Sequence, residues 1–532
     1  MKKALLLLCA LLCGTLTAQN NDPVWGTDYS ESCTALLVGK KASTDGSVMT
    51  SHSCDGNYRT WATVVPRRKF ESGARDTIYW GLLKTEEPHD MRGVTIKGTI
   101  PAAPETFSYL NFGYPCLNEK QLAIGETTFG GKRELRNEQG LFLIEELQRI
   151  VLQRCTTARQ AIGLIGELVE EYGFGDGGEC LTFADPNEVW QLEIVGSGKQ
   201  GKPTAMWVAQ RVPDDHVGIS ANIARISDVD FNNPDYFMYS KDLRERAKKL
   251  GLWDGKEPFK FWKVIGTGKP FAIRDYYVMS SLAPSLDLKY DAEELPFSVK
   301  PDQLVSPQRA IAVYRENYEG SRFDMLKNLK VAVKSKGDDG LEKIDSVTSP
   351  IMNHWMSTDM RNLVNTLKPG AIEFQRTVPV CWCSYSFVVQ CRSWLPDEIG
   401  AVAYFSVDNP AQSPRIPIYS GALSLPEGFA VCGQKRYRED SFLWKFREAN
   451  RLAQVAWGKT KNKMESEAMR LEKKMFEEQE EIESKAKALM AKGESRKARE
   501  LITKYSADFA GSAVHSWDGL KREFWSMFGR GF

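Results

Sequence analysis

Between Asn20 and Ser32 the chain is polar and turn-forming, reading Asn-Asn-Asp-Pro-Val-Trp-Gly-Thr-Asp-Tyr-Ser-Glu-Ser with no period. At Cys33 the pattern changes abruptly to the β-prone apolar run Cys33-Thr-Ala-Leu-Leu-Val-Gly39, closed by Lys-Lys-Ala-Ser-Thr-Asp-Gly46. Asp45-Gly46 signals a turn, and Ser47-Val-Met-Thr-Ser-His52 predicts a returning second strand. From Glu138 to Arg154 the residues Leu141, Ile144, Leu147, Ile150 and Val151 make one helical face. Thr156 or Thr157 caps a second helix through Ala161, Leu164, Ile165 and Leu168, which Gly173 ends. Cys180 to Phe183 and Val189 to Val195 predict a hairpin around Asp185-Pro-Asn, and Val217 to Ala221 a further strand. Residues 228–370 mix helix and loop signals, in a region suited to forming substrate-site walls. Val378 to Trp394 is again β-rich. The tail from Lys459 to Lys504 is charge-rich, with Met464, Ala468, Leu471, Met475, Ile482 and Leu489 on one stripe. Gly493 breaks it, and a second helix follows through Ala498, Ile502 and Tyr505. Strands, two helices and more strands predict an α+β protein, a four-layer αββα sandwich with a C-terminal helical hairpin.

Charge narrows the function classes. The 532 residues hold 70 Lys+Arg against 69 Asp+Glu, so nothing favours nucleic acid or an anionic membrane as partner. There are only five His and no HExxH, which argues against a histidine-based metal centre. Lys2 and Lys3 precede an apolar run from Ala4 to Leu12 and a small-residue exit at Ala18. This is the pattern of a cleaved secretory signal, and a lipid anchor at Cys13 fits poorly because Ala-Leu-Leu precedes it. No later stretch is apolar for the roughly 18 residues that a membrane span needs. The expected protein is exported, periplasmic or extracellular, without stable membrane insertion. Its expected organisation is a signal at 1–18, a propeptide at 19–32, a catalytic domain at 33–435 with an insertion at about 228–370, and a helical region at 436–532.

Of eleven cysteines, Cys9 and Cys13 fall in the signal, which leaves an odd number. In an oxidising compartment an odd count suggests one thiol kept free, with the other eight forming up to four bridges. The alternative is a set of buried, unpaired thiols. Cys33 is the candidate for the free thiol, because it opens the first strand just after a dispensable segment. A cut between Ser32 and Cys33 would give one residue both a thiol and an α-amine. The amine, with a pKa of about 7.7–8.0, could act as general base for its own side chain without any histidine.

The run Cys33-Thr-Ala-Leu-Leu-Val-Gly-Lys-Lys-Ala-Ser-Thr-Asp-Gly-Ser47 resembles the mature start of the dipeptidase A family. Leu117-Asn-Glu-Lys-Gln-Leu-Ala-Ile-Gly-Glu-Thr-Thr128, Phe183-Ala-Asp-Pro-Asn-Glu-Val-Trp190 and Ile219-Ser-Ala-Asn222 extend the resemblance, in blocks, to about Gly421. These are N-terminal-nucleophile cysteine peptidases related to secernins and, more distantly, to penicillin V acylase and bile salt hydrolases. The resemblance implies the αββα fold, Cys33 as nucleophile and its freed α-amine as proton acceptor. It implies that Asp55 orients that amine, that Asn222 donates to the oxyanion, and that Thr128 is a second polar position near it. His52 stands where the wider superfamily has an arginine, and a protonated His52 would take its place beside the thiolate. No cofactor or metal is implied. The expected substrate is a dipeptide. The alternatives are an amidase acting on an acylated amino acid or similar small amide, or a non-catalytic, secernin-like interaction protein. A homo-oligomer through the tail helices is left open.

Two further motifs are set aside. Gly173-Phe-Gly-Asp-Gly-Gly178 lacks the Gly-Lys-Ser/Thr that grips phosphate and reads as a connecting loop. Cys381, Cys383 and Cys391 have no histidine nearby, so a zinc site is not expected; Cys381 and Cys383 would share one sheet face.

Overall fold

A computed structural model describes residues 31–199, 201–336 and 340–529. The signal segment and residues 19–30 of the expected propeptide lie outside the described residues.

The predicted hairpin at Cys33 forms β1 (Ser32–Val38) and β2 (Val48–Asp55), antiparallel with Cys33 opposite Cys54 and Ser32 opposite Asp55. These strands sit inside a seven-stranded antiparallel sheet. Its order is Ser298–Val299, Val217–Ser220, β1, β2, Cys383–Cys391, Ala401–Val407 and Ile416–Tyr419. A second, eight-stranded sheet runs Phe237–Tyr239, Ala205–Val212, Val189–Gly196, Gly178–Ala184, Ala123–Gly130, Leu117–Asn118, Tyr109–Asn111 and Thr63–Val65.

Every residue of β1 and β2 is buried, and the same holds for Cys383–Cys391 and for Val189–Gly196. An antiparallel strand with one solvated face would alternate, so continuous burial means that both faces are covered. One cover is the second sheet, because β1 and β2 pack on Ala123–Gly130 and Gly178–Ala184. Helices Ile144–Arg154 and Ala158–Tyr172 pack against the second sheet, and helices Phe442–Val455 and Ser495–Phe528 against the first. The molecule is therefore a mixed α/β protein with antiparallel sheets and a C-terminal helical region.

The two sheets approach closely at one point. A Cβ on Gly125 would collide with the Ser51 carbonyl of β2 and lie 2.6 Å from Thr182 Oγ1. Glycine is thus the residue that lets the next position, Glu126, reach across to the first sheet. Hydroxyl pairs Thr50–Thr182 (2.6 Å) and Thr127–Ser220 (2.5 Å) bridge the sheets nearby.

Some boundaries differ from the periodic reading. The first helix starts at Ile144, not Glu138, because the Leu141 N–H bonds back to the Tyr172 and Gly173 carbonyls and Phe142 bridges to Phe174. Thr157 is the cap of the second helix, accepting from Gln160 N–H, and Gly173 ends it. The late strand begins at Cys383, which leaves Cys381 before the strand and not on its face. In the tail, Trp457–Ala491 and Ser495–Phe528 form the hairpin, with Gly493 in the left-handed region at φ 76°. Trp517 is fully buried and donates to Asn450 Oδ1 (2.9 Å). Glu483 pairs with Arg392 (2.7 Å) and Glu472 with Arg315 (2.6 Å), so charged groups tie the hairpin to the sheet layer.

Candidate active site

The nine described cysteines are all free thiols, so the alternative of buried, unpaired cysteines holds and the four-bridge expectation does not. Cys33 differs from the rest in its surroundings.

Cys33 is 1% exposed and still linked to Ser32. Its N–H donates to Asn222 Oδ1 (2.8 Å), and its Sγ lies 3.5 Å from Glu126 Oε2. Asn222 follows the strand Val217–Ser220 and takes φ 64°. That left-handed backbone is costly for most residues and more accessible to asparagine. It turns the side chain back toward β1, where Nδ2 donates to the Thr128 carbonyl (2.7 Å). Thr128 Oγ1 in turn donates to Glu126 Oε1 (3.0 Å). Cys33, Asn222, Thr128 and Glu126 thus form a closed ring of contacts around the thiol.

Two arginines that no local motif announces complete the cluster. Arg274, on helix Ile273–Leu282, donates to the Cys33 carbonyl (2.5 Å), Thr34 Oγ1 (2.9 Å), the Ala221 carbonyl (3.0 Å) and Asn222 Oδ1 (2.9 Å). Burial, and then Arg376, lower its pKa to about 10, which leaves it charged at neutral pH. Arg376 donates to Asp55 Oδ2 (2.6 Å) and to Ser32 Oγ (2.7 Å). Asp55 Oδ2 also accepts from Ser53 Oγ (3.1 Å), while the buried Oδ1 has no partner.

His52 does not supply the positive charge expected of it. It is fully buried, and desolvation lowers its pKa to about 4. Nδ1 donates to the Glu126 carbonyl (2.7 Å), and the ring packs against Tyr114, Tyr385 and Phe387. The ring is neutral because its pocket is aromatic and no carboxylate accepts from it. The guanidinium on Cys33 itself is Arg274, at the backbone carbonyl, while Arg376 holds the neighbouring Ser32 and Asp55. Cys33 Sγ, a His52 ring nitrogen and a Glu126 oxygen lie within 4.8 Å of one another, a donor set that could hold a zinc-like ion.

As it stands the Cys33 thiol is a poor nucleophile. Burial first, then the negative charges of Glu126, Cys54 and Asp55, push its pKa well above the usual thiol range. Glu126 Oε2, 3.5 Å from Sγ, is the carboxylate beside the thiol, and a new positive charge near Asp55 would lower the thiol's pKa.

Residues 32–470 match the profile of peptidase family C69. A probable dipeptidase from Latilactobacillus sakei is 26% identical over 432 residues, covering 77% of this chain and 78% of its own. A probable dipeptidase B from Streptococcus pyogenes serotype M1 is 23% identical over 494 residues, 90% of each chain. Dipeptidase A from Lactobacillus helveticus is 21% identical over 433 residues, 75% of this chain and 77% of its own.

Proposed function

The chain belongs to peptidase family C69, and from that premise we propose that it is an exported cysteine dipeptidase whose nucleophile, Cys33, becomes N-terminal when the Ser32–Cys33 bond is cut. The sheets and their helical covers are then the αββα layers of an N-terminal-nucleophile hydrolase. The observation that carries the reading is the buried Asp55 Oδ1, which has no partner among the described residues and sits on the residue paired with Ser32 across the strands. An unpaired buried carboxylate oxygen is costly. A freed α-ammonium at Cys33 would be its counter-charge, while Arg376 keeps the other oxygen.

The chemistry follows from that amine. In its neutral form it takes the proton from Sγ, and the thiolate attacks the peptide carbonyl carbon. The carbonyl electrons move to oxygen, forming a tetrahedral oxyanion. Asn222 Nδ2 gives one proton to the Thr128 carbonyl and has a second to donate to that oxyanion. Arg274 holds Asn222 Oδ1 and so fixes which face of the amide presents its donor. Collapse breaks the C–N bond, and the α-ammonium protonates the departing amine. Water, deprotonated by the same amine, then attacks the thioester and restores the thiol.

The test is the N-terminal sequence and intact mass of the active protein, together with turnover of a dipeptide panel against acyl amides. A start at Cys33 is expected, with Cys33→Ala abolishing hydrolysis. Full dipeptidase activity in a protein starting at Gln19 would overturn the mechanism.

A further inference from the structure

Glu126 lies against the Cys33 thiol, yet the steps above give it no proton to move. Its carboxylate is fully buried, with Oε1 held by Thr128 Oγ1 (3.0 Å) and Oε2 3.5 Å from Sγ. Glu179, on the neighbouring strand and opposite Thr128, hydrogen-bonds to Glu126. Glu179 Oε2 is buried and has no partner.

Some buried carboxylates elsewhere have a guanidinium, while others, such as Glu193 and Asp185, are held by backbone N–H groups. Asp55 has Arg376 (2.6 Å), Glu483 has Arg392 (2.7 Å) and Asp408 has Arg447 (2.6 Å). Among the described residues no Lys or Arg pairs with Glu126 or Glu179, and the nearby Asp176 adds a further acidic group. His52, the ring beside them, is neutral. Hydrogen-bonded to each other, the two carboxyl groups share a proton, and the charge that remains is buried with no cation beside it among the described residues, which suits it to a cation arriving from outside.

We propose that Glu126, backed by Glu179, is the subsite that receives the free α-ammonium of the substrate's N-terminal residue. The proposal rests on the dipeptidase reading with Cys33 as nucleophile. In a dipeptide the α-nitrogen is two bonds from the scissile carbonyl carbon, about 2.5 Å away. A carbonyl poised about 3–3.5 Å from Sγ can therefore place that nitrogen within hydrogen-bonding reach of an oxygen 3.5 Å from the same sulfur. Thr128 fixes the carboxylate so that Oε2 faces the thiol. The segment to be removed lies close by. Tyr58 donates to Glu31 (3.2 Å) and stands in the field of both Cys33 and Glu126, so losing residues up to Ser32 clears the approach. An acylated or missing amine would leave the buried carboxyl pair without a cation, which makes the site select for a free N-terminus.

The experiment compares alanyl-alanine with its des-amino analogue propionyl-alanine, using protein shown by mass to start at Cys33. Wild type is expected to prefer the dipeptide by at least about 10³-fold in kcat/KM, because the site is built around the amine. Glu126→Gln is expected to lose about 10²–10³-fold on the dipeptide, carried mainly by KM, so that the two substrates come within about tenfold of each other. Iodoacetamide should still alkylate Cys33 in that variant. Glu179→Gln, one step further from the thiol, is expected to narrow the preference by about tenfold and carries the test if Glu126→Gln fails to mature. Equal wild-type rates on the two substrates, or a Glu126→Gln variant that slows both by the same factor, would overturn the proposal. Dipeptide hydrolysis surviving Cys33→Ala would instead remove Cys33 as the nucleophile, and this subsite with it.

Discussion

Arg376 grips one oxygen of Asp55 and the Ser32 hydroxyl, so it ties the residue before the bond to be cut to the carboxylate paired with it across the strands. Arg376→Ala leaves Asp55 buried without a counter-charge, and such broken pairs typically cost about 3–5 kcal/mol. Urea unfolding of the Cys33→Ala precursor, with and without that change, measures the loss. Glu126 predicts a pH effect of definite sign. Burial is the main cause that raises its carboxyl pKa from 4.5 to about 7. Between those values the folded chain holds a proton that the unfolded chain releases, so stability falls as pH rises through that window. Neutral His52 has the opposite effect between its ordinary 6.5 and about 4, but it is common to parent and variant. In the Cys33→Ala background, Glu126→Gln should therefore gain about 2–3 kcal/mol relative to its parent between pH 5 and pH 8. Equal slopes in urea titrations at the two pH values would show that Glu126 titrates normally. At this scale Cys33, Asp55, Thr128 and Asn222 were legible because each lies in a contiguous motif. Arg274 and Arg376 were not. They meet their partners across 241 and 321 residues of chain, and an isolated arginine in a helix or loop reads as solvated surface.

At the scale of elements, the hairpin of β1 and β2, the Asp185 turn and a cap at Thr156 or Thr157 could be read directly, since a turn or cap is specified within a few residues. The sheet-to-sheet distance could not, because it depends on what faces Gly125 from another strand. Gly125→Ala must push Ser51 away, and overpacking of this kind costs about 1–3 kcal/mol. It also moves Glu126 relative to Cys33, so kcat should fall along with Tm. A variant that lost Tm but kept full kcat would show that the two sheets separate without disturbing the thiol.

At the scale of the molecule, the tail hairpin was legible from its stripe and Gly493, but its attachment was not. Met464, Leu471, Met475 and Trp517 are buried, Trp517 bonds Asn450, and Glu483 and Glu472 hold arginines of the body. Removing 457–529 would uncover that apolar face and strand Arg392 and Arg315. We expect one cooperative calorimetric transition for the whole chain and insoluble product from the truncation. A soluble, active 33–456 fragment would make the hairpin a dispensable module.

The nine free thiols have a practical consequence for anyone handling the protein. With no S–S cross-link among the described residues to lose, dithiothreitol can be present throughout purification and assay. It protects Cys33 from sulfenic acid while the melting temperature stays where it is without reductant. Expression in an ordinary bacterial cytosol, with no oxidase or isomerase helper strain, then yields the same fold as material taken from an oxidising compartment.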